Sequence, residues 1–247
     1  MESEKMIGFK QFLTESKNTH MTHIEDRVVY GGVTGARDAI AALRAFRDML
    51  AGQGKSRFDV TVKWDGAPAV FAGTDPSDGK FFVAKKGIFN KDPKVYKSEA
   101  DVRADTSGDL ADKLTIAYNE LKDLGIKDVI QGDIMFTKND LKVEDIDGEK
   151  YVTFQPNTIV YAVQNKSALA KTIKKANLGV VFHTTYTGKT FADMKASYGV
   201  DISKLKKKTS IWYQDADYKD QSGTATLTVT ETKEVTDALS KAGKISK

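Results

Sequence analysis

Apolar residues return at helical spacing in four stretches of the chain. From Asp38 to Leu50, the positions Ile40, Leu43, Phe46, Met49 and Leu50 fall on one side of a helix, and the preceding Gly31-Gly32-Val33-Thr34-Gly35 turn can start it. Leu110, Leu114, Tyr118, Leu121 and Leu124 define a second helix, with Asp109 able to cap its first turn and Gly125 able to end its last. A short helix is expected over Ser167–Ala176 and a terminal one from about Glu231. Between them the pattern changes to short runs rich in Val, Ile, Phe and Tyr, which read as strands: 58–63, 68–73, 80–85, 129–136, 151–154, 158–163 and 178–184, with an alternating Thr/apolar run at 224–230. Turn clusters at Asp75–Gly79 and Glu144–Gly148 separate several of them.

Many antiparallel-type strands with a few helices predict an α+β fold, antiparallel sheets flanked by helices, rather than a doubly wound one. The expected organisation is an N-terminal arm or small helix over residues 1–30, a core over 31–215, and a C-terminal strand and helix over 216–247 packed on that core. A chain of 247 residues, 40% of them hydrophobic, is long enough to bury one sizeable core. No apolar run is long enough to span a bilayer and the polar start lacks the apolar stretch of a secretory signal, so a cytoplasmic protein without membrane contact is expected. Cysteine is absent, which excludes disulfides, thiolate nucleophiles and thiolate metal sites. The net charge of +4 permits phosphate-bearing partners without indicating them. Two lysine runs, Lys85, Lys86, Lys91, Lys94, Lys97 and Lys204, Lys206, Lys207, Lys208, read either as solvated faces or as phosphate contacts.

The candidate chemistry centres on Lys63-Trp64-Asp65-Gly66, at an expected break between two strands. A lysine held on a rigid element and partly buried beside Trp64 would lose its ammonium proton more readily, and the freed amine is a nucleophile. Gly66 allows close approach of a ligand to the backbone, and Asp65 can orient the amine or a metal-bound water. The same four residues also fit a hairpin whose Asp-Gly supplies only the turn.

The order of features around this motif resembles the covalent nucleotidyltransferases, the superfamily of ATP-dependent DNA and RNA ligases and mRNA capping enzymes. Over roughly Asp59 to Tyr186 the chain looks most like ligase-like proteins of tailed bacteriophages. The resemblance implies an adenylation-domain-like fold in which Lys63 forms a phosphoramide with AMP taken from ATP. The family's basic residue and glycine some way downstream are matched by Lys85-Lys86-Gly87, and its Gly-Glu at a strand by Gly132-Asp133, with Asp133 one methylene shorter than the usual Glu. Where the family carries an acidic metal-binding residue before a glycine, this chain has Leu178-Gly179. The family's Lys-x-Lys pair falls on Lys204 and Lys206 or on Lys206 and Lys208. The implied nucleotide contacts are Asp65, Gly66, Lys85, Lys86, Asp133 and Lys206, with Phe89 or Phe136 either stacking on the purine or filling the core. Asp65 and Asp133 are the implied Mg²⁺ contacts. The implied partner is a polynucleotide end, RNA before DNA because no separate OB domain has room after the core.

Two other classes stay open. A binding protein could keep the fold without transfer chemistry. A P-loop NTPase would use Thr187-Gly188-Lys189-Thr190, although the opening glycine is missing and His183 stands in its place; the segment otherwise reads as a polar turn, with His183 and Tyr186 facing the site. His20 and His23, followed by Glu25 and Asp26, read as a solvated arm or a small metal or phosphate cluster. Glu144–Gly148 lacks the ligands of a calcium loop and reads as a hairpin turn.

Overall fold

The computed structural model describes residues 23–53, 61–217 and 227–245. It divides into two units, one containing the described residues 23–53 and 227–245, the other residues 61–217. The core therefore starts at Thr61 rather than at residue 31. Of the expected strand over 58–63, the described residues make a single bridge, Thr61 to Asp217; residues 58–60 lie outside the described residues, as do the arm over 1–22 and residues 224–226 of the Thr-rich run.

In the first unit, helix α1 runs over Ile24–Leu50, well ahead of the expected start. The glycine turn lies inside it as a break at Gly32, whose φ of 54° is available to glycine at no steric cost. Helix α1 is opened by His23, whose side chain and Asp26 cap it reciprocally. Its partner is the terminal helix over Val229–Ile245: Arg47 donates to Thr236 at 2.9 Å and Leu227 donates to the Leu50 carbonyl at 3.0 Å. Val229 and Thr230, expected in a strand, are helical. Thr228 and Glu231 cap each other, at 2.8 and 3.2 Å, and that local signal outweighs the alternating pattern.

In the second unit the chain runs β1 (Ala69–Thr74), β2 (Phe81–Ala84), α2 (Glu99–Asp105), α3 (Gly108–Leu121), β3 (Val129–Thr137), β4 (Lys142–Ile146), β5 (Glu149–Phe154), β6 (Tyr161–Gln164), α4 (Ala168–Lys175), β7 (Leu178–Thr187), β8 (Lys195–Tyr198) and β9 (Ile211–Asp215). The terminal helix of the first unit is α5. Together these make an α+β protein, and among the described residues no helix is long and apolar enough to cross a membrane.

The large sheet has the order β2-β1-β3-β7-β8, with β9 also on β7. It is mixed rather than antiparallel. β7 is long enough to take two partners along one edge, β9 parallel to Leu178–Phe182 and β8 antiparallel to Thr184–Thr187. β4, β5 and β6 form a separate antiparallel sheet, with the expected turn at Asp147-Gly148 in left-handed geometry.

Side-chain alternation gives the large sheet two apolar faces. Val70, Ala72, Ile130, Ile134, Val180 and Phe182 pack with Leu114, Ala117, Leu121 and Leu124 of the α3 segment. On the opposite face, Met135, Val181 and Trp212 pack with Val152 and Phe154 of the small sheet and with α4, while Phe71, Phe82, Val129 and Tyr186 form a second cluster. On β3 the residues between those clusters are Gln131 and Asp133. Two bulges bracket this stretch: His183 is an extra residue on β7, and Met135 is an extra residue on β3. Gly132-Asp133-Ile134 thus faces Phe182-Val181-Val180 in a register displaced from that of the flanking pairs.

Past the second bulge the Phe136 ring lies over Gly179, where an added Cβ would sit 2.2 Å from a ring carbon. Because that ring is locked in the core, Gly179→Ala is expected to destabilise the unit by about 2 kcal/mol. A thermal melt within a degree of the parent's would refute the close packing at this point.

Candidate functional site

The Lys63-Trp64-Asp65-Gly66 segment is an extended crossing rather than a hairpin, leading into β1 and anchored residue by residue. Val62 donates to the Ala216 carbonyl at 2.7 Å, and Ala67 donates to the Ile134 carbonyl at 2.9 Å. Trp64 stacks on Tyr161 with ring centroids 5.4 Å apart, and the Tyr161 hydroxyl accepts from the Asp65 amide at 2.8 Å. The Asp65 carboxylate reaches the loop before β6. It accepts from Asn157 Nδ2 at 2.8 Å, from the Thr158 hydroxyl and amide at 2.7 Å each, and from the Ile159 amide at 2.9 Å. The Thr158 hydroxyl, the Ile159 amide and their neighbours hold this carboxyl well below the usual carboxylate range. Gly66 lies against β3, where a Cβ would be 2.5 Å from the Asp133 Cβ and 2.9 Å from Met135 Sδ. Close approach of backbone to backbone is what requires glycine here.

Lys63 itself is exposed. The expected burial beside Trp64 is absent, because the indole turns to Tyr161 and the small sheet. Its charge is nevertheless felt at Asp133. Burial pushes the Asp133 carboxyl up to about 6, the Lys63 and Lys86 cations hold it back, and the Asp65 carboxylate adds to the rise. Asp133 is directly across from Ala69 on β1 and Val181 on β7, with its side chain 22% exposed. His183 Nε2 lies 3.8 Å from Asp133 Oδ2, and burial pushes the imidazole's proton affinity down. On the same side of β3, Gln131 accepts from the Tyr186 hydroxyl at 2.7 Å, and burial pushes that phenol up to about 12.

The remaining candidates separate. The Lys85-Lys86 pair splits, Lys86 remaining exposed with its charge felt at Asp133 while Lys85 bonds Asp105 at 3.0 Å. Lys94 and Tyr96 share that carboxylate, and Lys97 pairs with Asp75 and Asp78, so much of the first lysine run is occupied by ion pairs. Phe136 is 1% exposed between Phe154 and Trp212, a core residue with no face left for a base. Phe89 is half-buried against Phe71 and Tyr186. Leu178 is 0% exposed on the α3 side of the sheet. Lys206 also lies on that side: its amide donates to the Leu124 carbonyl and its stem runs by Gly125, so the structure does not bring it to Lys63. Lys204 pairs with Asp201 and Lys208 with Glu120.

Thr187–Thr190 is the expected polar turn. Thr190 caps a three-residue 3₁₀ turn, Phe191–Asp193, so no helix N-terminus stands where a P-loop needs one. Of the N-terminal cluster, His20 lies outside the described residues, and His23 serves as the cap of α1 with Glu25 at 3.2 Å.

A resident Mg²⁺ fits this chain poorly. Both Asp65 oxygens are taken by hydrogen bonds, and among the described residues no group of three or more His, Asp or Glu could hold an ion. Asp133 is a carboxylate on which the charges of Lys63 and Lys86 act. The signal that sequence reading undervalued is His183: the bulge that turns it toward Asp133 has no local sequence mark, because it arises from the register between β3 and β7.

The sequence matches the model of a family of unknown function (DUF6267) over residues 18–247. No curated protein and no solved structure matches it.

Proposed function

The chain belongs to this family of unknown function (DUF6267), and from its own site we propose that it is an ATP-dependent nucleotidyltransferase of the polynucleotide-ligase kind, with Lys63 as the residue that takes AMP. The observation that carries the reading is the close packing of the Lys63–Gly66 segment on β3 at Asp133, whose carboxyl feels the charges of both Lys63 and Lys86. Two cations at an open rim suit a triphosphate, and a half-sheltered carboxylate suits a hydroxyl donor.

In this reading the Lys63 ammonium first gives its proton to solvent, which its exposure permits. The amine lone pair attacks the α-phosphorus; the N–P bond forms, the P–O bond to the β-phosphate breaks, and pyrophosphate leaves with that electron pair. A terminal 5′-phosphate oxygen then attacks phosphorus, the N–P bond breaks and the lysine nitrogen keeps its electron pair and regains a proton from solvent; a 3′-hydroxyl, its proton passing to solvent, then displaces AMP and seals the strand. Lys86 would balance charge on the phosphates. Any Mg²⁺ would arrive on the nucleotide, since that ion binds through few carboxylates and substrate phosphates.

Incubation with ATP labelled at the α-phosphate, followed by denaturation, should leave label on the protein. Lys63→Ala and Lys63→Arg should both abolish it, the second because a guanidinium keeps the charge but not the nucleophile. An unlabelled parent protein would end the transferase reading.

A second reading is a nucleotide- or nucleic-acid-binding protein with no transfer step. It is favoured by the apolar burial of Leu178 where related enzymes are expected to carry an acid, and by the placement of Lys206 away from Lys63. Calorimetry would then register ATP binding while no pyrophosphate is released.

A further inference from the structure

His183 is a half-buried titratable group that the scheme above leaves without work. It is the extra residue of the β7 bulge, at the centre of the displaced register, and its carbonyl is fixed by the Gly199 amide at 2.9 Å. Bulges re-aim a side chain by breaking strict alternation, and this one brings the imidazole to the Asp133 side of the sheet. The ring is held at one end and faces a carboxylate at the other. Nδ1 lies 2.8 Å from the Thr184 hydroxyl, and Nε2 faces Asp133 Oδ2 at 3.8 Å.

The chemistry of Thr184 decides the tautomer. Its side chain is buried in a residue 2% exposed, and among the described residues its hydroxyl has no other hydrogen-bond partner. The hydroxyl finds an acceptor only if it donates to Nδ1, which leaves the ring proton on Nε2, toward the carboxylate. Among the described residues the Asp133 carboxylate has no hydrogen bond of its own, and a part-buried carboxylate gains most from a donor it can reach. At 3.8 Å the bond is not made, but a small rotation of either side chain closes it, as happens at sites that tighten when a ligand enters.

We propose that His183 is a positioning residue for Asp133: the bulge and Thr184 hold it as the Nε2–H tautomer, and it donates to the Asp133 carboxylate. The arrangement is that of a histidine orienter behind a functional carboxylate, with a hydroxyl behind the histidine. What Asp133 is held toward rests on the transferase reading. The holding itself does not.

The test has one arm for each. Long-range proton–nitrogen correlation spectra of the histidine rings, with His183 assigned by its disappearance in His183→Gln, should show Nε2 protonated and Nδ1 bare. The Nε2 resonance should move in Asp133→Asn, where the partner has changed. A proton on Nδ1, or an Nε2 resonance indifferent to Asp133→Asn, overturns the proposal whatever the protein's activity. In the labelling assay His183→Phe, which keeps a ring but no donor, should lower the rate of AMP uptake about tenfold with little change in half-saturating ATP. His183→Gln, whose amide nitrogen reaches about as far as Nε2, should recover most of it. Labelling by His183→Phe at the parental rate would also overturn the proposal. If the parent takes up no label while the spectra show the Nε2–H tautomer coupled to Asp133, the transferase reading falls and the positioning role stands.

Discussion

Leu178→Glu is expected to unfold the second unit rather than supply a metal-binding acid. The substitution would restore the acid that the resemblance to ligases leads one to expect before Gly179. Leu178 is fully buried, paired with Thr137 on β3 and Ile211 on β9, and packed in the cluster that joins the sheet to α3. Removing the leucine side chain costs about 3 kcal/mol. A glutamate there would have to be buried neutral or carry an unpaired charge, which adds several kcal/mol more. The sum approaches the total stability of a typical domain, about 5–15 kcal/mol. Circular dichroism should show loss of the cooperative thermal transition. A Leu178→Glu protein that melts like the parent would mean that this position is not in the core.

Asp133→Asn is expected to do the reverse, stabilising the fold while removing the charge at the site. The Asp133 carboxyl is raised from 3.8 to about 6, chiefly by burial. Below about pH 3 the carboxyl is protonated in both folded and unfolded chains, and it costs the fold nothing. As the pH climbs from there, the unfolded chain ionises first, so stability falls until the folded carboxyl has also ionised. Above about pH 7 the penalty is constant, at about 2–3 kcal/mol. Asparagine carries no such penalty. The melting temperature of Asp133→Asn should therefore exceed the parent's by roughly 5–8 °C near pH 8, with the gap closing near pH 3. An equal gap at both pH values would show that the carboxyl is not raised. A residue that weakens its own fold at neutral pH is the kind of group kept for function.

The helices and strands with strong local periodicity were legible in the sequence. Leu110 to Gly125 is the clearest case: the apolar spacing and the left-handed Gly125 follow from residue type, while the last turn, Lys122–Leu124, tightens to 3₁₀. Strands β1, β2, β3, β5, β6 and β7 fall within or near their expected runs. β4, β8 and β9 do not announce themselves, since β4 and β8 are exposed throughout and only pairing makes them strands. α2 was hidden because a short, charged helix rests on its Ser98 cap rather than on an apolar stripe. The Thr-rich run misled because alternation in a polar segment competes with a capping pair four residues long. At the site, motif order singled out Lys63, Lys86 and Asp133, and the charges of both lysines are felt at the Asp133 carboxyl. The division of Lys85 from Lys86 and the far placement of Lys206 were not, because each depends on which carboxylate or carbonyl lies nearby in space.

The Asp65 clamp changes how much the Lys-x-Asp-Gly motif can testify. Asp65 ties its own stretch of backbone to residues 157–159, Trp64 stacks on Tyr161, and Gly66 makes room for β3. A fold with no reactive chemistry would still have cause to keep these three. Lys63 alone has no such employment in the architecture: it is exposed and makes no hydrogen bond among the described residues. In relatives of this chain, the informative observation is therefore whether that one position stays lysine while its neighbours hold, since drift there and nowhere else would mark a scaffold that has outlived its reaction.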